Sequence, residues 1–252
     1  MRFLDFSLAK MPSYDKILAR LCDTTAPARL LDVGCCFGQD LRRLVADGAP
    51  SENLVGLELE PKFVDLGFGL FADRELFKGQ MIVGSIFDES VNGPVASLKG
   101  SINIVNAAFF FHLFSLDDQI KLGVNLVNLM KDDPKAMVLG RHLGSSIGEE
   151  RSSPMAPTGK MYFHSPDSFK SLWATISERT QTTWHVNAWL EVTSTHTKGV
   201  GESWWTGNQI LMLHFEVHQV TSVGVETNLQ TERVGTWWSR IFARILQVKQ
   251  RK

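Results

Sequence analysis

The chain has 252 residues, 44% hydrophobic and 21% charged, so it can bury a full core without disulfides or metals and lacks the composition of a disordered segment. Its 26 Lys and Arg are matched by 27 Asp and Glu, and the net charge of −1 excludes the basic surplus that a general nucleic-acid binder turns toward phosphates. No run of about eighteen apolar residues occurs, so no membrane-spanning helix is expected.

The opening MRFLDFSLAKMPSYDK carries Asp5 early and lacks the apolar centre of a secretory signal, so no secretory targeting is expected. Short, almost continuous apolar runs at 30–33, 54–57, 81–83, 102–105 and 136–139 predict strands buried on both faces. A helix over 40–46 follows the first, with Leu41, Leu44 and Val45 on one side. One over 63–77 follows the second, with Phe63, Leu66, Leu70 and Phe71 on a face that Gly67 and Gly69 weaken. A loose stretch at 88–99 holds the turn signal Asn92-Gly93-Pro94. The helix predicted at 116–130 repeats Ile120, Val124, Val127 and Met130, with Asp117 and Asp118 suited to its first turn. Residues 144–160, rich in Ser, Gly and Pro, show no period and predict a mobile loop, either a lid or a surface excursion. Ser165-Pro166-Asp167 opens a helix carrying Phe169, Leu172, Trp173 and Ile176. Long strands at 184–192 and 210–220, with glycines 199, 201 and 207 between them and no crossover helix, predict an antiparallel pair at the sheet edge. The alternation as a whole predicts an α/β fold with a seven-stranded, mostly parallel sheet and helices on both faces. Cys22, Cys35 and Cys36 form no disulfide framework and no zinc set, so the expected compartment is the reducing cytosol and no metal is expected.

The stretch LLDVGCCFGQD, residues 30–40, is a strand ending in Asp32, a turn with Gly34 and Gly38, and a helix start. Glycine permits positive φ and close approach of backbone to a ligand there. Glu58, at the end of the second strand, is an acid placed for the two hydroxyls of a ribose. A dinucleotide fingerprint fails, because Cys36 and Gln39 occupy its second and third glycine positions, and no P-loop Lys-Ser/Thr pair follows. An acid inside the turn suits a ligand without pyrophosphate, and S-adenosylmethionine fits, its amino group toward Asp32 and its ribose toward Glu58. The alternative is a tight strand-to-helix turn with no ligand.

LLDVGCCFGQDLRRLVADGAP, LGFGLFADRELF, FFFHLFSLDDQ and LGRHLGS, in this order, resemble the fungal class I S-adenosylmethionine-dependent methyltransferases of meroterpenoid and polyketide biosynthesis. The resemblance covers roughly residues 2 to 220, and it implies a Rossmann-like class I fold with an antiparallel last strand. It also implies a carboxyl O-methyltransferase type of activity. Relatives carry an N-terminal segment ahead of Met1 that would help to cover the pocket. They also place an Asp after the third strand, toward the adenine amine, where this chain has Ser85. The cofactor set is accordingly Asp32, Gly34, Cys35, Gly38 and Gln39 in the first turn, Glu58 and Leu59 after the second strand, Ser85 and Ile86 after the third, and Asn106 at the end of the fourth.

Ligands of open parallel sheets lie beyond the carboxyl ends of the strands. That places AAFFFHLF near the reacting methyl, with Phe109, Phe110 and Phe111 as an apolar wall for a prenylated or polyketide substrate; core packing is the alternative reading. His112 is the candidate general base, or a satisfied structural histidine. Arg141 and His142 follow the fifth strand, where a guanidinium suits a substrate carboxylate or pairs with a neighbouring acid. His164, after the expected lid, either enters the pocket or lies on the surface. Trp204-Trp205 falls between the last strands. In the tail, 221–252, Val234, Trp237, Trp238, Ile241, Phe242, Ile245 and Val248 recur at helical spacing beside five cations. That predicts a basic amphipathic helix packed on the domain, on a second copy in a homodimer, or in peripheral contact with a membrane. A methyl-transferring enzyme with a hydrophobic small-molecule substrate is the leading expectation. The others are a methyltransferase-like cyclase or isomerase that moves no methyl, and a non-catalytic partner protein.

Overall fold

The computed structural model describes residues 6–154, 156–192 and 211–220. The chain divides into two compact units, Met1–Gln219 and Val220–Lys252. Trp204-Trp205 and the amphipathic tail lie outside the described residues.

The first unit is built on a seven-stranded sheet in the order β3-β2-β1-β4-β5-β9-β8. Its strands are β1 (Leu30–Val33), β2 (Leu54–Glu58), β3 (Gln80–Val83), β4 (Ile104–Asn106), β5 (Met137–Gly144), β8 (Trp184–Val192) and β9 (Leu211–Gln219). The first five pair in parallel, whereas β9 is antiparallel to both β5 and β8. Alternation along the central strands divides the core. Leu31, Val33, Val105 and Val138 face one layer; Leu30, Ile104, Met137 and Leu139 face the other. The first layer is closed by α4 (Leu116–Leu129) and α5 (Pro166–Thr180), through Leu122, Leu126, Phe169 and Trp173. The second is closed by α1 (Tyr14–Leu21) and α2 (Gln39–Ala46), through Ile17, Leu21, Leu41 and Leu44. Each of these aliphatic side chains is fully buried, a gain of about 1.5–3 kcal/mol apiece relative to exposure. Helix starts follow their sequence signals. Ser115 caps α4 by accepting the Asp118 N–H, and Ser165 caps α5 in a reciprocal box with Ser168, with Pro166 at the first helical position.

Four expectations are corrected. The helix expected over 63–77 is α3, Pro61–Phe71, ended by Ala72 in the left-handed region at φ 51°. The strand expected at 102–105 starts at Ile104, because the Asn103 and Ile104 N–H groups both turn to the Arg29 carbonyl. Strand β5 runs on to Gly144, since its partner β9 continues the ladder to Leu211. The segment expected to be an irregular loop holds a hairpin of β6 (Glu149–Ser152) and β7 (Lys160–Phe163). Met161 and Phe163 alternate inward onto Leu143, Ala156 and Met212, and this small separate cluster holds the hairpin down. Helix α1 and a 3-10 turn at Leu8–Lys10 were not anticipated.

Candidate functional site

The first turn is constrained from beneath. Gly34, Cys36 and Gly38 all have positive φ, at 68°, 54° and 67°. The Gly34 and Cys35 N–H groups both donate to the Leu57 carbonyl, 2.8 and 3.1 Å, which locks the turn to the end of β2. A Cβ on Gly34 would lie 2.7 Å from Cε2 of Phe110, so only glycine leaves space between turn and ring. Behind Gly38, the buried Arg42 guanidinium donates to the Phe37 carbonyl at 3.1 Å and pairs with Asp73 at 2.9 and 3.1 Å, with Phe68, Phe71 and Phe77 rings against it. Sequence reasoning passed over this support, because Arg42 reads as an ordinary polar position on α2.

Three acids lie near the turn. Asp32 is 4% exposed, and its Oδ1 accepts the Asn106 Nδ2–H at 2.8 Å from the adjacent strand. Burial raises its pKa well above the ordinary carboxylate value, the charges of Asp40 and Glu58 add to this, and the Asn106 hydrogen bond opposes it. The Oδ1 of Asn106 is buried with no hydrogen-bond partner, as is Oε1 of Gln39. Glu58 caps the two loops: Oε2 accepts the Cys36 N–H at 2.8 Å, and Oε1 accepts the N–H groups of Leu59 and Glu60 at 2.8 and 3.0 Å. Asp40, at the start of α2, accepts the Leu8 N–H at 3.2 Å and so ties the N-terminal turn to the site.

A cavity of about 520 Å³ opens above this turn, within the size range of small-molecule sites. It brings together seven of the expected residues: Gly34, Glu58, Leu59, Ser85, Ile86, Phe109 and Phe110. Leu59 is 70% exposed there, which no core role explains. Asp118, Pro157 and Thr158 also line the cavity, the last two from the turn of the β6–β7 hairpin. Asp118 was legible only as a first-turn acid, and Pro157 and Thr158 only as part of an aperiodic run. Phe109 has φ 54°, an uncommon conformation for an aromatic residue, and its N–H donates to the Arg141 carbonyl at 2.7 Å. The aromatic run divides: Phe109 and Phe110 face the cavity, and Phe111 is fully buried against His142, Phe169 and Phe215.

Asp32, Cys35, Gly38, Gln39, Asn106, His112, Arg141, His142 and His164 do not line this cavity. Asp32 lies one residue before the lining residue Val33, and Asn106 lies beside it. Cys35 is buried beneath the turn, and burial together with Asp32 and Glu58 pushes its thiol up. His112 is 5% exposed and sits behind Phe109, its ring 5.7 Å from that of His142 and 6.2 Å from that of Phe163. The Arg141 guanidinium lies 5.7 Å from the Phe109 ring centre and donates to Ser7 Oγ at 3.4 Å. His142 is fully buried with neither ring nitrogen partnered, and burial, with His112 next, lowers its pKa far below the usual value.

His164 takes neither of its two expected positions, in the pocket or on the surface. It is fully buried, with Nδ1 2.9 Å from Ser168 Oγ and Nε2 3.0 Å from Gln119 Oε1. The Gln119 amide donates to the Phe114 and Tyr162 carbonyls, which fixes Oε1 as the acceptor and the His164 proton on Nε2. Burial lowers the His164 pKa to about 3, so the ring is a neutral pin between β7 and α4. Among the described residues no group of His, Cys, Asp and Glu could hold a metal ion, and no helix is long and apolar enough to cross a membrane.

No protein-family model matches the chain. It is similar to the O-methyltransferase phiE of a fungal species, 37% identical over 185 residues, covering 73% of this chain and 60% of that one. It is similar to the O-methyltransferase atr3 of Stereocaulon alpinum, 35% identical over 202 residues, covering 80% and 56%. It is also similar to the methyltransferase adrK of Penicillium roqueforti, 34% identical over 190 residues, covering 74% and 66%. The chain thus spans between 56% and 66% of the length of these relatives. In fold it is similar to the N-terminal domain of EvdMO1 with S-adenosylhomocysteine bound, TM-score 0.54 at 11% identity, covering 84% of this chain and 82% of that one. The 1,6-didemethyltoxoflavin-N1-methyltransferase of Burkholderia thailandensis gives TM-score 0.52 at 11% identity, covering 84% and 80%.

Proposed function

We infer that the chain belongs to the fungal class I S-adenosylmethionine-dependent methyltransferases of secondary metabolism, on its similarity to fungal methyltransferases, and on that premise that it is an O-methyltransferase acting on a hydrophobic small molecule. The observation that carries the reading is the single cavity that has the Gly34 turn and Glu58 on its wall together with Phe109 and Phe110. The residues fit the cofactor. Gly34 leaves room that a Cβ would fill, and Asn106 Oδ1 is a buried acceptor without a donor. Asp32 beside it is a buried carboxyl whose pKa is raised by burial and by the charge of Asp40, so a cation placed there would be welcome. Asp32 and Asn106 would hold the amino group, Glu58 the ribose, and Leu59 with Ile86 the purine faces. When bound, the cofactor supplies a sulfonium-activated methyl group.

The chain's own residues then position and dry the acceptor. Phe109 and Phe110 give the reacting end an apolar wall. A carboxylate acceptor arrives ionised at neutral pH and needs in-line placement rather than a base, and an apolar pocket favours union of opposite charges. Methyl transfer to a prenylated or polyketide acid, followed by mass spectrometry of the product with and without S-adenosylmethionine, tests the activity. Replacing His112 by Ala is expected to reduce turnover modestly and leave the pH profile unchanged, because the ring sits behind Phe109. A loss of about 100- to 10,000-fold would instead mark general-base removal and a hydroxyl acceptor.

Asp32 gives a second expected result. Its folded pKa is raised, so the folded state keeps a proton that the unfolded chain has released. Stability from this group therefore falls as pH rises from the ordinary carboxylate range through the raised value. A cationic amino group beside Asp32 reverses the shift, so binding S-adenosylhomocysteine at a pH between the ordinary carboxylate range and the raised value should expel up to about one proton. Calorimetric heats should then vary with buffer ionisation enthalpy, and Asp32→Asn should remove the variation. Equal heats in all buffers for the wild type would disprove the contact. A cytosolic location is supported by Cys22, Cys35 and Cys36, all free thiols. Self-association or lipid contact through 234–248 is supported by the spacing of its apolar residues alone.

A further inference from the structure

The geometry points to Asp118 as the acceptor for the exocyclic amine of the cofactor's adenine, a specificity residue contributed by α4 rather than by the sheet. The inference rests on the cofactor reading above. Glu58 and Asp118 are the two carboxylates on the cavity wall among the described residues. Helix α4 is oriented by Asn125, whose Nδ2 donates to the Ile86 carbonyl at 3.1 Å. Asp118 lies seven residues before Asn125, two turns along the same helix face, so it looks toward the loop that begins at Ser85. Leu122, between them on that face, is fully buried in the same cluster as Ile86. Leu59 and Ile86 give the cavity apolar walls suited to a purine. With the ribose at Glu58, the purine would lie against Leu59 and Ile86, and its exocyclic amine can only donate. Ser85 offers a neutral hydroxyl that already accepts the Phe87 N–H at 3.1 Å. Asp118 offers a carboxylate with its side chain 22% exposed, held in place by the Ser115 hydroxyl at 2.8 Å and by Lys121 Nζ at 3.5 Å. About four acceptor positions on a carboxylate leave room for the amine, and an ionised acceptor is roughly twice as strong as a neutral one.

The test compares S-adenosylhomocysteine with its 6-deamino analogue, in which hydrogen replaces the amine, by calorimetry on the full chain. Wild type should prefer the amine-bearing ligand by roughly 10- to 100-fold, the range of one hydrogen bond to a charged group. Asp118→Ala should bring the two ligands within about 3-fold of each other, and Ser85→Ala should keep the preference. Asp118→Asn keeps the shape of the helix start and should give an intermediate preference, which secures the result if the alanine variant does not fold. A preference as large as that of the wild type in Asp118→Ala, or in Asp118→Asn where the alanine variant does not fold, overturns the assignment and leaves the cofactor reading standing. Wild type that binds neither ligand overturns the cofactor reading and this inference with it.

Discussion

Exchanging Glu58 for alanine is expected to weaken S-adenosylhomocysteine by about 10- to 100-fold and to destabilise the protein by about 2–4 kcal/mol. The first effect is the loss of a charged acceptor for ribose hydroxyls. The second comes from the N–H groups of Cys36, Leu59 and Glu60, all of which donate to this carboxylate. Each charge-assisted bond contributes about 1.5–3 kcal/mol, but the cavity lets water reach part of the exposed backbone, so the sum is discounted. Glu58→Gln keeps one acceptor oxygen and should fall between. Urea denaturation and calorimetry separate the two effects. Unchanged affinity would remove Glu58 from the ribose, and unchanged stability would show that water replaces its backbone partners.

Gly67 and Gly69 should respond to alanine with opposite signs. Both lie in α3, where Gly to Ala gains about 1 kcal/mol from propensity. At Gly69 a Cβ meets nothing within 4 Å, so that gain should appear almost whole. At Gly67 the Cβ would fall on the Phe37 carbonyl oxygen and lie 3.0 Å from the carbonyl carbon. Backbone cannot rotate away as a side chain can, so helix and turn must separate, at a typical cost of 1–3 kcal/mol or somewhat more. The clash outweighs the propensity, and Gly67→Ala should lower the denaturation midpoint. It should also weaken S-adenosylhomocysteine, because Phe37 lies between Cys36 and Gly38 in the turn. Equal effects at the two positions would show that α3 does not brace that turn.

What was legible in the sequence follows from what carries a period. The central strands are apolar on both faces, and their runs gave the starts of these strands within two residues, though not the extension of β5 to Gly144. The Asp32, Gly34 and Glu58 spacing gave the ligand class, because only a few chemistries need an acid and glycines at the ends of neighbouring strands. The hairpin at 149–163 was missed because its pattern is half polar and its inward residues Met161 and Phe163 meet partners remote in sequence, Leu143 and Met212. Helix α1 was missed because its eight residues give barely two turns of periodicity. His164 could not be placed from sequence, since its burial depends on Gln119 arriving from α4. Arg141 and His142 were expected to follow the fifth strand, but β5 runs through both to Gly144, because the ladder with β9 that extends it comes from a strand remote in sequence.

The pairing of β5 with β9 carries a consequence for synthesis. All eight residues of β5 are buried, and one of its edges is completed only by a strand ending at Gln219. A ribosome therefore delivers about seventy-five further residues after Gly144 before that edge can close. Until then an eight-residue strand offers unpaired N–H and C=O groups along one edge to any neighbouring chain, the situation from which edge-to-edge aggregation begins. Strand β8 emerges earlier but cannot help, since its only sheet neighbour is β9 itself. The nascent protein passes through an interval in which a strand buried along its whole length in the finished sheet stands with one edge unpaired.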